Sequence, residues 1–390
     1  MKTRLQIIAL IFALISSCVS SKSIEDGNDK CIPPLYDVAF PVVTPPASNA
    51  VTRRQIAPQG KWQVQADLPV LQDELGGALV ARPQQHELWF GTRYITHKYS
   101  IDKKQWKSYQ TGSPTLIAGN LFVSSDGTVW EVGTLFLDTT RSGKSYPFLS
   151  RFNEASDRFE DVEDVSGFLQ SPQVRLISNV AEDQSGLLWF FVAGDKNTLV
   201  SFDARTRQSQ QHYYFRIAGG NTNLVIGPDG SVWFRDYANE EIVQYITSTQ
   251  ETRTYKAYPE ETVSVKMSPE FDKAGYIFMD RSRRLWIANY AWLDFSNSNS
   301  PEWHRVIESP VFVTESGLPD SEFSMSYQVS TYQSSNDWYW FTGGSGIVRL
   351  DLEKGTWCLM TTGTSNVVED NDHNLWIAVF GHLYKYPLTH

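Results

Sequence analysis

"PDGSVWF", Pro228–Phe234, sets a tight-turn signal directly before an apolar Val-Trp-Phe run. Related words stand at Ser125–Glu131 ("SDGTVWE"), Gln184–Phe190 ("QSGLLWF") and Asp372–Ala378 ("DHNLWIA"). Aligning each Trp that follows such a segment gives seven positions: Trp89, Trp130, Trp189, Trp233, Trp286, Trp340 and Trp376. They recur irregularly, at a period centred near the ~40 to 50 residues of a four-stranded propeller blade. No long 3.6-residue apolar stripe points to a helical solenoid.

Each Trp sits in the same local grammar. An apolar strand and a tight turn precede it, as in "LFVSSDGTVW" and "LVIGPDGSVW", where Asp126-Gly127 and Asp229-Gly230 form hairpins because Gly accepts positive φ. An alternating strand follows ("THKYSIDKKQW", "LVSFDARTRQ", "IVRLDLEKGTW"), and then a strand that opens on an aromatic ("QWKSYQT", "EWHRVIE", "TWCLMTT"). The unit is strand A, turn, strand B with its Trp, loop, strand C, turn, strand D. The last unit stops at strand C, "HLYKYPLTH", whereas "GKWQVQA" at Gly60–Ala66 is a D strand with no unit of its own. Pairing the two closes the ring and removes an exposed sheet edge. The expected fold is therefore all-β, one seven-bladed β-propeller over residues 60–390 closed by an N-terminal strand.

The region before it reads differently. Met1–Ser17 has Lys2 and Arg4 ahead of the apolar run Leu5–Ile15, the pattern of a secretory signal too short to span a bilayer. Ile15-Ser16-Ser17-Cys18 resembles a bacterial lipobox, in which Cys18 becomes the lipidated first residue. Residues 18–59 are Pro-rich, with Pro33-Pro34 and Pro45-Pro46, and read as a spacer reaching at most ~140 Å from the membrane. The expected location is extracytoplasmic, on a lipid anchor. In that oxidising setting the remaining cysteines, Cys31 and Cys358, are either a disulfide pair or two free thiols. The net charge of −10 argues against nucleic acid or an anionic membrane face as the main partner.

The words "DGSVWFRDYANEEIVQY" (Asp229–Tyr245), "LWFGT" and "WFTGGSGIVRLD" (Trp340–Asp351) resemble the propeller repeats of two-component regulators and of streptogramin-lyase-like proteins. The resemblance implies the propeller fold and, for function, either extracytoplasmic sensing or a lyase that uses His and an acidic residue around a metal. His86, His97, His212, His304, His373 and His382 occur singly, so no catalytic residue of that family is carried over to this chain.

The seven Trp read as blade packing rather than sugar platforms, since each follows the same turn and opens the same strand. The Asp-Gly pairs lack the acid spacing of a calcium loop, and turn formation accounts for them. "GGSGI" at Gly343–Ile347 leads no helix, and no Gly-x-Ser-x-Gly elbow, phosphate loop or Cys-x-x-Cys is present. No metal or cofactor is expected.

In a propeller the B-to-C and D-to-A connections emerge on one side, and here they are the long ones ("DTTRSGKSYPF", "YPEETVSVKMSPEFDKAG", "ESPVFVTESGLPDSEF"). Loops on a rigid scaffold are where binding groups sit. Residues just after strand B mark a candidate ligand site: Arg93, Tyr94, Asp195, Arg235, Asp236, Tyr237, Asn289, Tyr290, Trp292 and His382. Rings beside Arg, Asp and Asn suit a glycan or peptide; a hydrated polar rim is the plain alternative. Two functions stay open: a monomeric, non-catalytic binding or protein-interaction propeller, and an extracytoplasmic lyase or hydrolase.

Overall fold

The computed structural model describes residues 30–32, 61–69, 78–92, 95–110, 117–136, 145–171, 174, 176–193, 197–215, 223–236, 239, 241–256, 277–287, 291–294, 302–305, 328–343, 346–353, 356–361, 365–379 and 381–388. Among these, the strands form seven antiparallel sheets in a propeller. The B strands are Glu87–Gly91, Val129–Phe136, Leu187–Ala193, Val232–Asp236, Arg284–Ile287, Tyr339–Gly343 and Asn374–Val379. Every aligned Trp lies on one of them, and all seven are buried. Neighbouring blades meet through their A strands at several junctions, including that between the seventh and the first.

The turn chemistry is more uniform than the Asp-Gly words indicate. Three residues before each Trp the backbone has positive φ: His86, Gly127, Gly186, Gly230, Arg283, Asp337 and His373. Gly is the low-strain occupant, yet four blades place a side chain there. Six residues before the Trp, an oxygen captures the indole N–H in five blades. Trp189, Trp286 and Trp376 donate to Asp183, Asp280 and Asp370 at 2.7–2.8 Å, and Trp130 and Trp340 donate to Ser124 and Ser334 at 3.1 Å. One side chain thus ends strand A, closes the hairpin and satisfies a buried donor that would otherwise cost ~1–3 kcal/mol.

The closing strand is Gln63–Asp67. It pairs antiparallel with strand C of the seventh blade, His382–Pro387, with Gln63 opposite Lys385 and Asp67 opposite His382. Trp62, just before it, packs against Tyr386 and Trp340, with ring centroids 5.1 and 6.1 Å apart. Inside the stretch read as a spacer, Lys30–Ile32 forms a further strand that pairs with strand D of the sixth blade, Thr356–Thr361, and makes that sheet five-stranded.

The core lies in the seams between blades rather than in one central mass. Trp130 and Val132 of blade two, for example, meet Leu188, Phe190, Val200 and Phe202 of blade three. On the A-to-B side, polar ties cross these seams. Glu182 accepts from Ser125 N and Oγ, Gln184 donates to Pro228 O, Arg281 donates to the Ser334 carbonyl, and Glu369 accepts from Ser335 N and Tyr332. No helix among the described residues is long and apolar enough to cross a membrane.

Candidate functional site

Alternation along a strand decides what the B-strand ends can offer. Arg235 and Asp236 close strand B of blade four and are buried, at 2% and 3% exposure. Successive residues face opposite sides of a sheet. Arg235 lies opposite Ile242, which packs in the seam with blade five; Asp236 faces blade three, where its charge, after burial, helps raise the Tyr213 phenol. Asp236 also accepts from Asn239 Nδ2 at 2.9 Å, which fixes the turn after the strand. The sequence-adjacent Arg-Asp pair therefore serves two different seams. Arg235 is a buried side chain rather than the exposed loop-start group that its sequence position suggested.

Trp292 lies in strand C of blade five, Ala291–Asp294, directly opposite Trp286, with the rings 5.1 Å apart and the Arg284 guanidinium 5.2 Å from its centroid. It is half-buried packing. His382 opens strand C of blade seven and is half-exposed; its Nδ1 lies 2.8 Å from Asp67 Oδ1, across the closing seam. Arg93, Tyr94, Asp195, Tyr237, Asn289 and Tyr290 lie outside the described residues. Among the four described members of the predicted set, Arg235, Asp236, Trp292 and His382, the structure brings together only the sequence neighbours Arg235 and Asp236, and it divides those between seams.

One residue that sequence reasoning passed over stands out. The residue after the aligned Trp is Phe90, Phe190, Phe234, Ile287, Phe341 or Ile377 in six blades, all buried. In blade two it is Glu131, 4% exposed. Across that sheet Glu131 is flanked by Leu121 and Ser150, and Ser150 by Asp161, so the four form one row facing blade one. Thr96 of blade one donates to Glu131 Oε1 at 3.2 Å, Ser150 Oγ donates to Asp161 Oδ1 at 2.5 Å, and Glu131 Oε2 has no partner. Burial pushes the Glu131 carboxyl up to about 7, the Thr96 hydroxyl opposes, and the Asp161 charge adds to the rise. A buried carboxyl titrating near neutrality can hold or release a proton, and perturbed groups of this kind cluster at functional sites. The signal was present in "TVWEVGT", where the repeat alignment itself exposes the acid.

Among the described residues the histidine side chains do not converge. His86 meets Asp102, His97 meets Ser108, His212 meets Ser201 and Tyr245, and His373 meets Glu369. Burial lowers His97 to about 4 and lowers His212, so both are neutral at pH 7. Among the described residues no three His, Cys, Asp or Glu side chains gather to hold a metal ion.

No family model matches the chain, and no curated protein matches it. Solved structures do share its architecture. Streptogramin B lyase is 14% identical, with a TM-score of 0.57 over 84% of this chain and 98% of that one. Virginiamycin B lyase from Staphylococcus aureus is 15% identical, with a TM-score of 0.58 over 84% and 99%. The extracellular domain of a hybrid two-component system from B. thetaiotaomicron is 14% identical, with a TM-score of 0.54 over 82% of this chain and 42% of that one. The structural neighbours thus include lyases and the extracellular domain of a two-component system on one propeller fold, and fold alone does not select between them.

Proposed function

We propose that this chain is an extracytoplasmic, lipid-anchored propeller that binds a ligand without transforming it, on the face that carries its B-to-C and D-to-A connections. One observation supports this most. Within the ring, from Gln63 onward, the longest connections between described strands, residues 257–276 and 306–327, both run from a D strand to the next A strand and so belong to that face. The opposite face has short hairpins tied across the seams by Glu182, Gln184, Arg281 and Glu369. A scaffold stiffened on one side and elaborated on the other suits recognition, because rigid strands reduce the ordering cost of binding. The five histidines whose side chains are described, each engaged within or beside its own blade, favour binding over lyase chemistry. The lipobox at Cys18 supports the anchor, and the propeller's structural likeness to the extracellular domain of a two-component system supports the extracytoplasmic setting.

The test is a glycan and peptide screen with the purified chain, followed by mass analysis of any ligand recovered. Binding that is lost in Tyr290→Ala and Arg93→Ala, survives in Gln184→Ala on the opposite face and returns the ligand unchanged supports the proposal. A ligand returned with altered mass would move the assignment to a lyase or hydrolase.

A further inference from the structure

We propose that Cys31 and Cys358 form a disulfide that fastens the N-terminal arm to the outer edge of blade six; the compartment that this bond requires rests on the lipoprotein reading above. The arm strand Lys30–Ile32 runs antiparallel to Thr356–Thr361 in the register Lys30 to Leu359, Cys31 to Cys358 and Ile32 to Trp357. Directly opposed residues on antiparallel strands share one face of the sheet. Their Cα atoms are ~5.5 Å apart at a hydrogen-bonded pair and ~4.5 Å at a non-hydrogen-bonded one. Both values fall within the ~4.4–6.8 Å span that a disulfide bridges without moving the backbone. A slip of one residue would send the two cysteine positions to opposite faces.

The arm strand also needs such a fastening. It has three residues, and Pro33-Pro34 follow at once, so the ladder gains no further N–H donor on that side. So short an edge strand has little hydrogen bonding to hold it in place.

The bond forms by oxidation. Two thiols give up two protons and two electrons, and the acceptor is the disulfide of an extracytoplasmic thiol-oxidising protein, which leaves as a dithiol. One cysteine's thiolate attacks that disulfide to give a mixed disulfide, and the other displaces it to make the Cys31–Cys358 bond.

The consequence reaches the membrane. With the arm fixed to blade six, the leash from Cys18 ends at Lys30 and extends at most ~45 Å, in place of the ~140 Å of the whole spacer. Residues 33–62 then join blade six to blade seven as a closed loop and no longer contribute to the tether.

Full chain recovered from membranes is alkylated without reductant and digested with trypsin, which puts the cysteines on separate peptides, 31–53 and 355–385. The expected product is one linked pair that separates on reduction with the gain of two hydrogen atoms. Recovery of both cysteines in alkylated form overturns the proposal. Oxidised glutathione added to a portion of that protein kept unalkylated then locates the failed premise: a Cys31–Cys358 link forming only there indicts the compartment and with it the lipoprotein reading, whereas its absence indicts the register. An independent measurement uses an arginine-specific protease on intact membranes, since residues 18–31 hold Lys22 and Lys30 but no arginine; cleavage at Arg53 or Arg54 should release the propeller from Cys31→Ser but release it from the parent chain only after reduction. Release of both without reductant is a second refuting result.

Discussion

Replacing Glu131 by Gln should stabilise the propeller at alkaline pH and leave it nearly unchanged at acid pH. Glu131 is buried at a position that six blades fill with Phe or Ile, and its carboxyl is raised from 4.5 to about 7. Because the folded value lies above the unfolded one, the folded chain binds the proton more tightly. The penalty is therefore absent below pH 4.5, grows as pH rises toward 7 and is complete above it. At 1.36 kcal/mol per pH unit the full penalty is about 3 kcal/mol. Gln keeps the shape and the bond from Thr96 but carries no charge. The difference in unfolding free energy between Glu131→Gln and the parent should thus be within about 0.5 kcal/mol at pH 4 and approach about 3 kcal/mol at pH 8.5. Denaturant titration across that range, checked by calorimetry, reads it directly; the corresponding rise in melting temperature at high pH is roughly 5 °C. A difference that stays flat with pH, or a Gln variant less stable at pH 8.5, would show that the carboxyl is not held neutral by the seam.

Arg235→Ala should lower stability by about 1–3 kcal/mol, since it truncates a buried side chain in the seam between blades four and five; an unchanged denaturation midpoint would return Arg235 to the exposed rim. Trp62→Ala should cost about 3–5 kcal/mol through the lost contacts to Tyr386 and Trp340, measured by thermal melting, and a neutral result would mean that the closing seam is held by strand pairing alone. Gly227→Ala should destabilise blade four, because a Cβ there would stand 2.7 Å from Asp229 Oδ1 and 2.8 Å from Trp233 Nε1; a melting curve identical to the parent's would show that the turn relaxes freely. Cys18→Ser should move the protein from the membrane pellet to the soluble fraction with its melting temperature intact, and continued pelleting would require another anchor.

The blade repeat was legible because turn, indole and strand order recur together: a Gly or Asp-Gly before Trp130, Trp189 and Trp233 is a local signal that burial then confirms. The closing strand was legible for a related reason, since "GKWQVQA" is a D strand without a blade. His86, Arg283, Asp337 and His373 were less visible, because positive φ at a residue with a side chain leaves no mark in composition. Lys30–Ile32 could not be read at all, for three residues carry no period and their pairing partner lies at the far end of the chain. At the candidate site, the end of a strand and the start of a loop look alike in sequence, whereas the last residues of a B strand still alternate between two packed seams, as Arg235 and Asp236 do. Comparing each blade with the others at one position is what isolates Glu131.

The closing strand has a consequence for the order in which the molecule is made. Asp67 meets His382 across 315 residues of sequence, so the first strand of the ring to emerge from a ribosome or translocon is the last to find its partner. At ~5–20 residues per second it waits roughly 15 to 60 s with one edge unpaired, and pairing over such a span is intrinsically slow. During that interval the nascent ring is an open arc with two sticky ends. Ring closure is therefore the step in which the nascent chain's unpaired edge is exposed longest, and pairing of Gln63–Asp67 with His382–Pro387 ends that exposure.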